Sequence, residues 1–331
     1  PAYEMEEEIR SLGARYYPIP GTRTGLNMME NIKELLCYIW SFYKLKPDLC
    51  FLYMTKPIMY GGLAAIINRV KHVHVFVTGL EVVFYSKGVK NTLIRSILRV
   101  FYKAIHKKCE KVFFMNQDDY NKMKSYHLVE EEKVVFVNGS GVNTEVFAKE
   151  TMSEKDTVCM TARLVYSKGI REYVNAAKII RKKHKDVEFL LVGGKDENPE
   201  AISESKLKEI IENGSVKYCG YAKDVRPFLK ECTIFVLPSY HEGNGRSIVE
   251  AEAIGRPIIT TNTPGCRDTV ISGYNGFLVP ARNSKALAQK IEVLLNHKEL
   301  KNRMAENSYR LCLERFEVKK INKIILDNMK L

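Results

Sequence analysis

The sequence has no long apolar run and no clustered cysteines, and its first residues do not have the pattern of a signal peptide. No uninterrupted apolar run reaches the roughly 18 residues that a membrane-spanning helix requires. The chain opens with acidic residues, Glu4 and Glu6 to Glu8, where a signal peptide would be basic and then apolar. Its eight cysteines form no C-x-x-C pair and no cluster with histidine. We therefore expect structural thiols in a reducing, cytoplasmic compartment.

The chain is basic, with 52 lysines and arginines against 39 aspartates and glutamates and a formal net charge of +13. A charge of that size predicts an anionic partner, which could be nucleic acid, a lipid surface or the phosphates of a nucleotide. The excess is shared almost equally between the two halves, and no basic tail stands out. Because no nucleic-acid-binding motif is recognisable, a nucleic-acid-binding protein is the weakest of these hypotheses.

Apolar strands alternate with amphipathic helices along the chain, a pattern typical of parallel βαβ units. At 331 residues the chain is long enough for two such domains. A polar, glycine-rich segment at Asn138–Asn143 and the polar link after it predict a boundary. We therefore place a Rossmann-like domain at 1–149 and a second domain at 150–310.

The first domain should begin with a short helix and an edge strand around Tyr16 to Ile19. A helix predicted over Met29 to Lys44 carries an apolar stripe at helical spacing, which we expect to pack into the core. Its members are Ile32, Leu35, Leu36, Ile39 and Trp40.

The stretch Thr233 to Thr261 predicts a strand, a glycine-rich loop, a helix and a second strand. In such a unit the loop lies at the carboxyl end of the strand, where open parallel sheets bind ligands. The start of the helix adds free amides and the positive end of its dipole, which favour an anion such as a diphosphate. Two glutamates, Glu242 and Glu250, lie in the loop and about one turn into the helix. For Glu250 a capping box with Ser247 is an equally good local explanation.

A second basic loop, Arg163 to Gly169, follows another predicted strand. Arg163 and Lys168 could together bind a diphosphate, the arginine as a planar fork and the lysine as a point charge. The alternative is that both are ordinary surface charges, which the residues alone favour.

A helix predicted from about Lys90 to Cys109 carries a basic residue at every fourth position. Such a face is either simply solvated or it rests on an anionic membrane, with the protein peripheral on the inner face of that membrane. The basic set is Arg95, Arg99, Lys103 and Lys107, beside the apolar set Ile94, Ile97, Leu98, Phe101 and Ile105.

From about Tyr16 onward, nearly the whole chain resembles the retaining family-4 glycosyltransferases, in particular the bacterial enzymes that build lipid-linked (undecaprenyl-diphosphate) glycans. The signature with two glutamates separated by seven residues, Glu242 and Glu250, carries the resemblance most strongly. The other matching segments are KPIMYGGLAA (56–65), VTGL (77–80), NGSGVNTEVF (138–147), ARLVYSKG (162–169), VKYCGY (216–221), TPGCRDTV (263–270) and GYNGFLVP (273–280).

The resemblance implies a GT-B fold, in which two Rossmann-like domains face each other across a cleft and a final segment, here 311–331, crosses back to the first domain. It implies a UDP-hexose or UDP-N-acetylhexosamine as donor and a lipid-linked or polysaccharide glycan as acceptor. Transfer would proceed with retention and without a metal or other cofactor, and no Asp-x-Asp motif is found. The first domain would receive the acceptor.

The same resemblance assigns roles to residues of the second domain. Arg163 and Lys168 would bind the diphosphate and, with Glu242, form the catalytic set. Glu250 would bind the ribose hydroxyls, and backbone near Gly220 and Tyr221 would meet the base. Glu242 would hold the donor sugar with the amides of Gly243, Asn244 and Gly245.

The chain departs from the family pattern in two places. Many members have a histidine just after the strand that here ends at Val77, whereas this sequence has Thr78-Gly79. The family also begins with a strand, a glycine-rich loop and a helix that precede the matching part. The resemblance therefore implies a truncated first domain, and it leaves open whether the chain as given turns donor over or only binds it.

An isomerase on the same fold, a UDP-N-acetylglucosamine 2-epimerase, is the main alternative. It would act without an acceptor.

Overall fold

The computed structural model describes residues 6–21, 28–80, 84, 88–196 and 200–329. Within these ranges, ten strands form two separate, fully parallel sheets. The strands are β1 (Leu49–Tyr53), β2 (His72–Val77), β3 (Lys111–Phe114), β4 (Val134–Phe136), β5 (Thr157–Thr161), β6 (Glu188–Val192), β7 (Lys217–Tyr218), β8 (Ile234–Leu237), β9 (Ile258–Thr261) and β10 (Gly276–Val279).

Helices cover the sheets and connect successive strands, as parallel pairing requires. They are α1 (Glu6–Ser11), α2 (Met28–Leu45), α3 (Thr55–Ile67), α4 (Val89–Lys108), α5 (Gln117–Ser125), α6 (Ile170–Ile180), α7 (Glu204–Glu212), α8 (Arg226–Glu231), α9 (Arg246–Ala253), α10 (Ser284–Asn296), α11 (Lys298–Arg315) and α12 (Val318–Met329).

The first sheet has the simple order β1-β2-β3-β4. One face buries Val73, Val75 and Val77 of β2 with residues of α3 and α4, while the other face buries Phe76 and Phe113. Side chains alternate between the two faces because successive residues of a strand point to opposite sides. Both faces are therefore covered, as expected for a parallel sheet.

The second sheet has the order β10-β9-β8-β5-β6-β7. After β5 the chain builds outward through β6 and β7, and it then returns to place β8 on the other side of β5. Every residue of β5 and β8 is buried, which explains why both sequences are nearly continuous apolar runs. This reversal of strand order between β5 and β8 positions the site described below.

The end of the chain returns to the first domain. Helix α11, which includes Leu311, packs against α9 of the second domain. The crossing takes place at Val142, whose amide donates to Phe316 O at 2.8 Å and whose carbonyl accepts from Val318 N at 3.0 Å. Helix α12 then adds Met329 to the apolar cluster under the first sheet.

Two sequence predictions in the first domain are wrong. Residues 14–21 have no regular secondary structure, so the edge strand at Tyr16 to Ile19 does not form. Of the apolar stripe on α2, Ile32, Leu36 and Trp40 are exposed. Helix α2 packs mainly on α3, where its buried Glu34 pairs with Lys56. The sequence pattern predicted an apolar face, but the side chains of Ile32, Leu36 and Trp40 on that face are not covered by the described residues.

None of the helices in the described part of the chain combines the length and apolar character needed to cross a bilayer.

Candidate functional site

The two charged loops predicted to bind a nucleotide sugar lie side by side because β5 and β8 are neighbours. The loop with Lys168 follows β5, and the loop with Glu242 follows β8. In an open parallel sheet, the carboxyl ends of the two strands at which the order reverses leave a crevice where ligands bind. The sheet topology therefore brings together two segments that are 74 residues apart in sequence.

Lys168 and Glu242 form the centre of this site. Lys168 Nζ donates to Glu242 Oε1 at 2.5 Å, and the two side chains are only 16% and 14% exposed. The loops themselves are joined by the Tyr240 amide, which donates to Ser167 O at 2.8 Å. Gly169, at φ +75°, allows the closest approach, since a Cβ there would lie 2.1 Å from Pro238 O. The ion pair is thus held by the backbones of both loops.

The loop between β8 and α9 presents free backbone amides. The amides of Gly243 and Asn244 donate to no acceptor among the described residues, and neither do those of Arg246 and Ser247 at the start of α9. Such amides are the groups that bind anions at a helix start. The amide of Gly245 differs, because it donates to Gly265 O at 3.2 Å. Of the three amides predicted to bind the donor sugar, that of Gly245 is thus already paired in this structure, and Gly245 is the residue before the helix.

Glu250 is largely buried on α9 and does not form the capping box. The helix begins at Arg246 after Gly245, so Ser247 lies inside the helix and no side chain caps it. Instead, Glu250 Oε1 accepts a hydrogen bond from Arg246 Nε at 2.9 Å. Burial raises the pKa of Glu250 above its usual value, against the opposing effect of Arg246. The local alternative for this glutamate is thus removed, and a buried carboxylate remains at the site.

Arg163 and the residues predicted to meet the base lie at the ends of the next strands. Arg163 follows β5 and forms an ion pair with Asp196 in the loop after β6. Gly220, which follows β7, accepts a hydrogen bond from Gly193 N at 2.8 Å. The ring of exposed Tyr221 lies against Gly194, where a Cβ would be 3.2 Å away.

All the predicted donor residues therefore lie along one edge of the second sheet, in the order β8, β5, β6, β7. Three interstrand steps span roughly 14 Å. Of the predicted side chains, the structure brings Lys168 and Glu242 into direct contact, while Arg163 and Glu250 are each paired with a neighbour.

The first domain faces this edge directly. A Cβ at Gly243 would lie 1.7 Å from Thr78 O, and one at Gly139 would lie 2.6 Å from Asn244 Oδ1. Thr78-Gly79, which stands where the resemblance implies a histidine, thus packs its backbone on the loop from His241 to Gly245, here called the donor loop. His74, inside β2, is fully buried, and burial lowers its pKa.

A cavity of about 330 Å³ also opens between the two domains. Its lining includes Asn116 and Asn138 of the first domain, Arg267 of the second, and Arg315 at the end of α11. None of the predicted donor residues lines it.

Sequence reasoning missed the first-domain side chains that contact the donor loop. Asn116 Nδ2 donates to Gly243 O at 2.9 Å, and Asp119 lies 3.7 Å from His241 Nε2. The only local signal is the spacing of Asn116 and Asp119 at the start of α5, which is typical of a helix cap. That spacing does not indicate that Asn116 contacts the second domain.

A comparison with protein families matches residues 142–311 to the family described as "Glycosyl transferases group 1". Among curated proteins, the chain is similar to the N,N'-diacetylbacillosaminyl-diphospho-undecaprenol alpha-1,3-N-acetylgalactosaminyltransferase of Campylobacter jejuni. The two are 29% identical over 328 residues, which cover 95% of this chain and 85% of that protein. The capsular polysaccharide biosynthesis glycosyltransferase CapM of Staphylococcus aureus is 27% identical over 303 residues, 87% of this chain and 78% of CapM.

Solved structures share the fold. Anabaena Alr3699/HepE in complex with UDP-glucose matches with a TM-score of 0.78 and 18% identity, over 99% of this chain and 89% of that one. A glycosyltransferase from Rickettsia africae matches with a TM-score of 0.77 and 21% identity, over 98% and 86%. These similarities confirm the predicted GT-B architecture of two Rossmann-like domains.

Proposed function

The chain belongs to the group 1 glycosyltransferases, and from that premise we propose that it transfers a hexose or N-acetylhexosamine from a UDP-sugar to a lipid-linked glycan. The donor class is supported by the structural neighbour in complex with UDP-glucose. The acceptor class is supported by the relative named as acting on an undecaprenol-diphosphate saccharide.

The ion pair of Lys168 and Glu242 is the observation that carries this proposal. In a nucleotide sugar, the bond to be broken joins the sugar to the diphosphate. A carboxylate that accepts from sugar hydroxyls and a cation that binds phosphate must therefore be adjacent. Lys168 Nζ and Glu242 Oε1, 2.5 Å apart on two different loops, meet that requirement.

The departing diphosphate needs positive charge where its negative charge develops. Lys168 and Arg163 supply it, together with the amides of Arg246 and Ser247 at the start of α9. Glu250 accepts from the ribose hydroxyls, and the Tyr221 backbone meets the base. We propose that these groups suffice without a metal ion and that the sugar is transferred with retention of its anomeric configuration.

The test offers the full-length protein a panel of UDP-hexoses and UDP-N-acetylhexosamines with a short saccharide on a lipid diphosphate. Transferred mass on the lipid, with a retained anomeric configuration by NMR, is the expected result. Conversion of UDP-N-acetylglucosamine to an isomer without any acceptor would instead support the epimerase. Absence of UDP binding by calorimetry would contradict both.

We also propose that α4 rests on an anionic membrane surface, where a lipid-linked acceptor would be found. Leu93, Ile97 and Val100 are 65%, 50% and 71% exposed and form a stripe on one face of the helix. The exposed Lys103 and Lys107 lie beside this stripe. An apolar stripe flanked by lysines is the pattern of an interfacial helix.

The other two predicted membrane contacts are held on the protein. The Arg95 guanidinium donates to Thr92 Oγ1 at 3.0 Å, and Arg99 stacks over the Tyr126 ring at 4.7 Å. The membrane proposal therefore rests on the lysines and the apolar stripe rather than on all four basic residues.

Vesicle sedimentation tests this surface. We expect binding to vesicles with anionic lipid and little binding to neutral ones. The double variant Lys103→Glu, Lys107→Glu should lose that binding, since each charge near the surface contributes about 1 kcal/mol. The matched control Lys182→Glu, Lys185→Glu changes the charge equally on the second domain. If both double variants lost the same amount of vesicle binding, the binding would depend on net charge alone and not on α4.

A further inference from the structure

Asn116 joins the two domains through a single side chain. Its Nδ2 donates both to Gly243 O across the domain boundary and to Asp119 Oδ2 within the first domain, each at 2.9 Å. Its Oδ1 accepts from Asp119 N at 2.8 Å and so caps α5. Asn116 and Asp119 are 3% and 1% exposed. Both polar atoms of this buried amide are therefore fully used, and one of its bonds is made to the donor loop.

Asp119 fixes the orientation of that amide. Its Oδ2 also accepts from Leu80 N at 3.2 Å, just after Thr78-Gly79. Because the carboxylate is held on two sides, the hydrogen bond that it accepts from Asn116 orients the remaining amide hydrogen toward Gly243 O. His241 Nε2 lies 3.7 Å from Asp119 Oδ1, so the first residue of the donor loop faces the same carboxylate.

The hydrogen bond from Asn116 Nδ2 to Gly243 O determines how the next peptide group of the donor loop is oriented. Gly243 C=O and Asn244 N–H belong to one planar, trans peptide unit and point in opposite directions. A hydrogen bond that holds the carbonyl toward Asn116 therefore directs the Asn244 N–H away from Asn116. That N–H is one of the two loop amides without an acceptor among the described residues. The same peptide unit lies next to Glu242.

We propose that Asn116 is a positioning residue for sugar transfer: from the opposite domain, it sets the orientation of the peptide between Gly243 and Asn244 beside Glu242. The inference rests on the proposed function, because it gives this loop its task of holding the donor sugar. UDP without a sugar is bound by groups of the second domain alone, so Asn116 affects the transfer step more than the binding of UDP.

The variant Asn116→Asp tests this role. It keeps the volume and the oxygen that caps α5, but it replaces the donor with a carboxylate oxygen that faces Gly243 O and Asp119. We expect kcat for transfer from the UDP-sugar to fall at least about tenfold, the size of one lost hydrogen bond of this kind. The dissociation constant for UDP should stay within about twofold, since its contacts are unchanged.

Two further variants separate positioning from capping. Asn283→Asp makes the same change at the cap of α10, where Asn283 Oδ1 accepts from Ala286 N at 2.9 Å, and it should leave transfer unchanged. The double variant Asn116→Asp, Asp119→Asn restores a donor and acceptor between the two side chains but none to Gly243 O. It should remain as impaired as the single variant, whereas recovery would assign Asn116 to the fold of the first domain and overturn the proposal.

Amide hydrogen exchange of Glu242 and Gly245, whose amides donate to Pro264 O at 3.0 Å and to Gly265 O at 3.2 Å, gives a readout that needs no activity. Exchange should be at least about tenfold faster in Asn116→Asp than in wild type, and unchanged in Asn283→Asp. If wild type neither binds UDP nor transfers sugar, the proposed function fails, and the exchange data still decide whether Asn116 holds the loop. Unchanged exchange in Asn116→Asp, or full transfer activity, would overturn the inference.

Discussion

Replacing Lys168 by alanine is the sharpest test of the site, because this side chain connects the loops that follow β5 and β8. The substitution removes a cation at 2.5 Å from Glu242 and leaves a carboxylate that is only 14% exposed without that partner. No other cation in the described part of the chain forms an ion pair with Glu242.

Two magnitudes follow from this geometry. Loss of one prepositioned group that stabilises developing charge lowers kcat by about 10²–10³-fold, or roughly 2.7–4 kcal/mol. The free energy of unfolding should fall by only about 1–2 kcal/mol. That value lies between the small contribution of exposed pairs and the larger cost of breaking buried ones. A large kinetic loss with a small loss of stability is the predicted signature.

The assay compares transfer kinetics and urea unfolding for wild type, Lys168→Ala and Lys168→Arg. Arginine keeps the positive charge but replaces the compact ammonium group with a planar guanidinium. We therefore expect a kcat between those of wild type and Lys168→Ala. Lys155→Ala is the matched control, because Lys155 pairs with Glu188 at 2.7 Å at the opposite edge of the same sheet, where β5 and β6 begin, and both side chains are exposed. In Lys155→Ala, neither the activation free energy calculated from kcat nor the free energy of unfolding should change by more than about 0.5 kcal/mol.

Full turnover in Lys168→Ala, with the protein folded, would refute the argument and make Lys168 a surface charge held by a neighbouring carboxylate. A loss of kcat that is equally large in Lys155→Ala would show that the assay reports general destabilisation.

Three further predictions concern buried acids and metal dependence. Glu250→Gln should weaken UDP binding about tenfold. Because burial raises the pKa of Glu250, the difference between wild type and variant should shrink as the pH falls through that raised value; a difference that stays constant with pH would contradict this. Glu252 is fully buried, with its Oε2 unpartnered among the described residues, and burial raises its pKa well above normal. Its native form therefore holds a proton more tightly than the unfolded chain, so its contribution to stability is lost as the pH rises. Glu252→Gln should be more stable than wild type at pH 8, with a smaller gain at pH 5, in urea unfolding; no gain at pH 8 would contradict the argument. Transfer should persist in excess EDTA, and its loss with recovery on adding Mg²⁺ would contradict metal-free transfer.

Local sequence pattern was sufficient for the elements that form the site. The apolar run before Pro238, the glycines after it and the helix that starts at Arg246 all depend on residues within a few positions of one another. The placement of Lys168 and Glu242 just after two buried strands follows from the same local signals. The same signals could not decide whether Glu250 binds the donor or forms a capping box with Ser247, because a capping box requires only four consecutive residues.

Local pattern failed where a packing partner was needed. Tyr16 to Ile19 has the composition of a strand, but it does not pair with β1, whose only described partner is β2. On α2, helical spacing correctly indicated an apolar face, yet Trp40 is exposed because α2 packs mainly on α3. Composition reports a tendency to be buried, whereas burial itself requires a second surface.

The sequence by itself determined which residues end each strand and begin each helix, and hence which charges stand at the carboxyl edge of the second sheet. Only the tertiary structure decided that β8 lies beside β5, that Lys168 therefore meets Glu242, and that Asn116 contacts Gly243 from the other domain. The physical reason is the range of the interactions. Periodicity and capping act over two to four residues, whereas strand order and domain contacts join segments separated by 74 and 127 residues, and no local pattern encodes them.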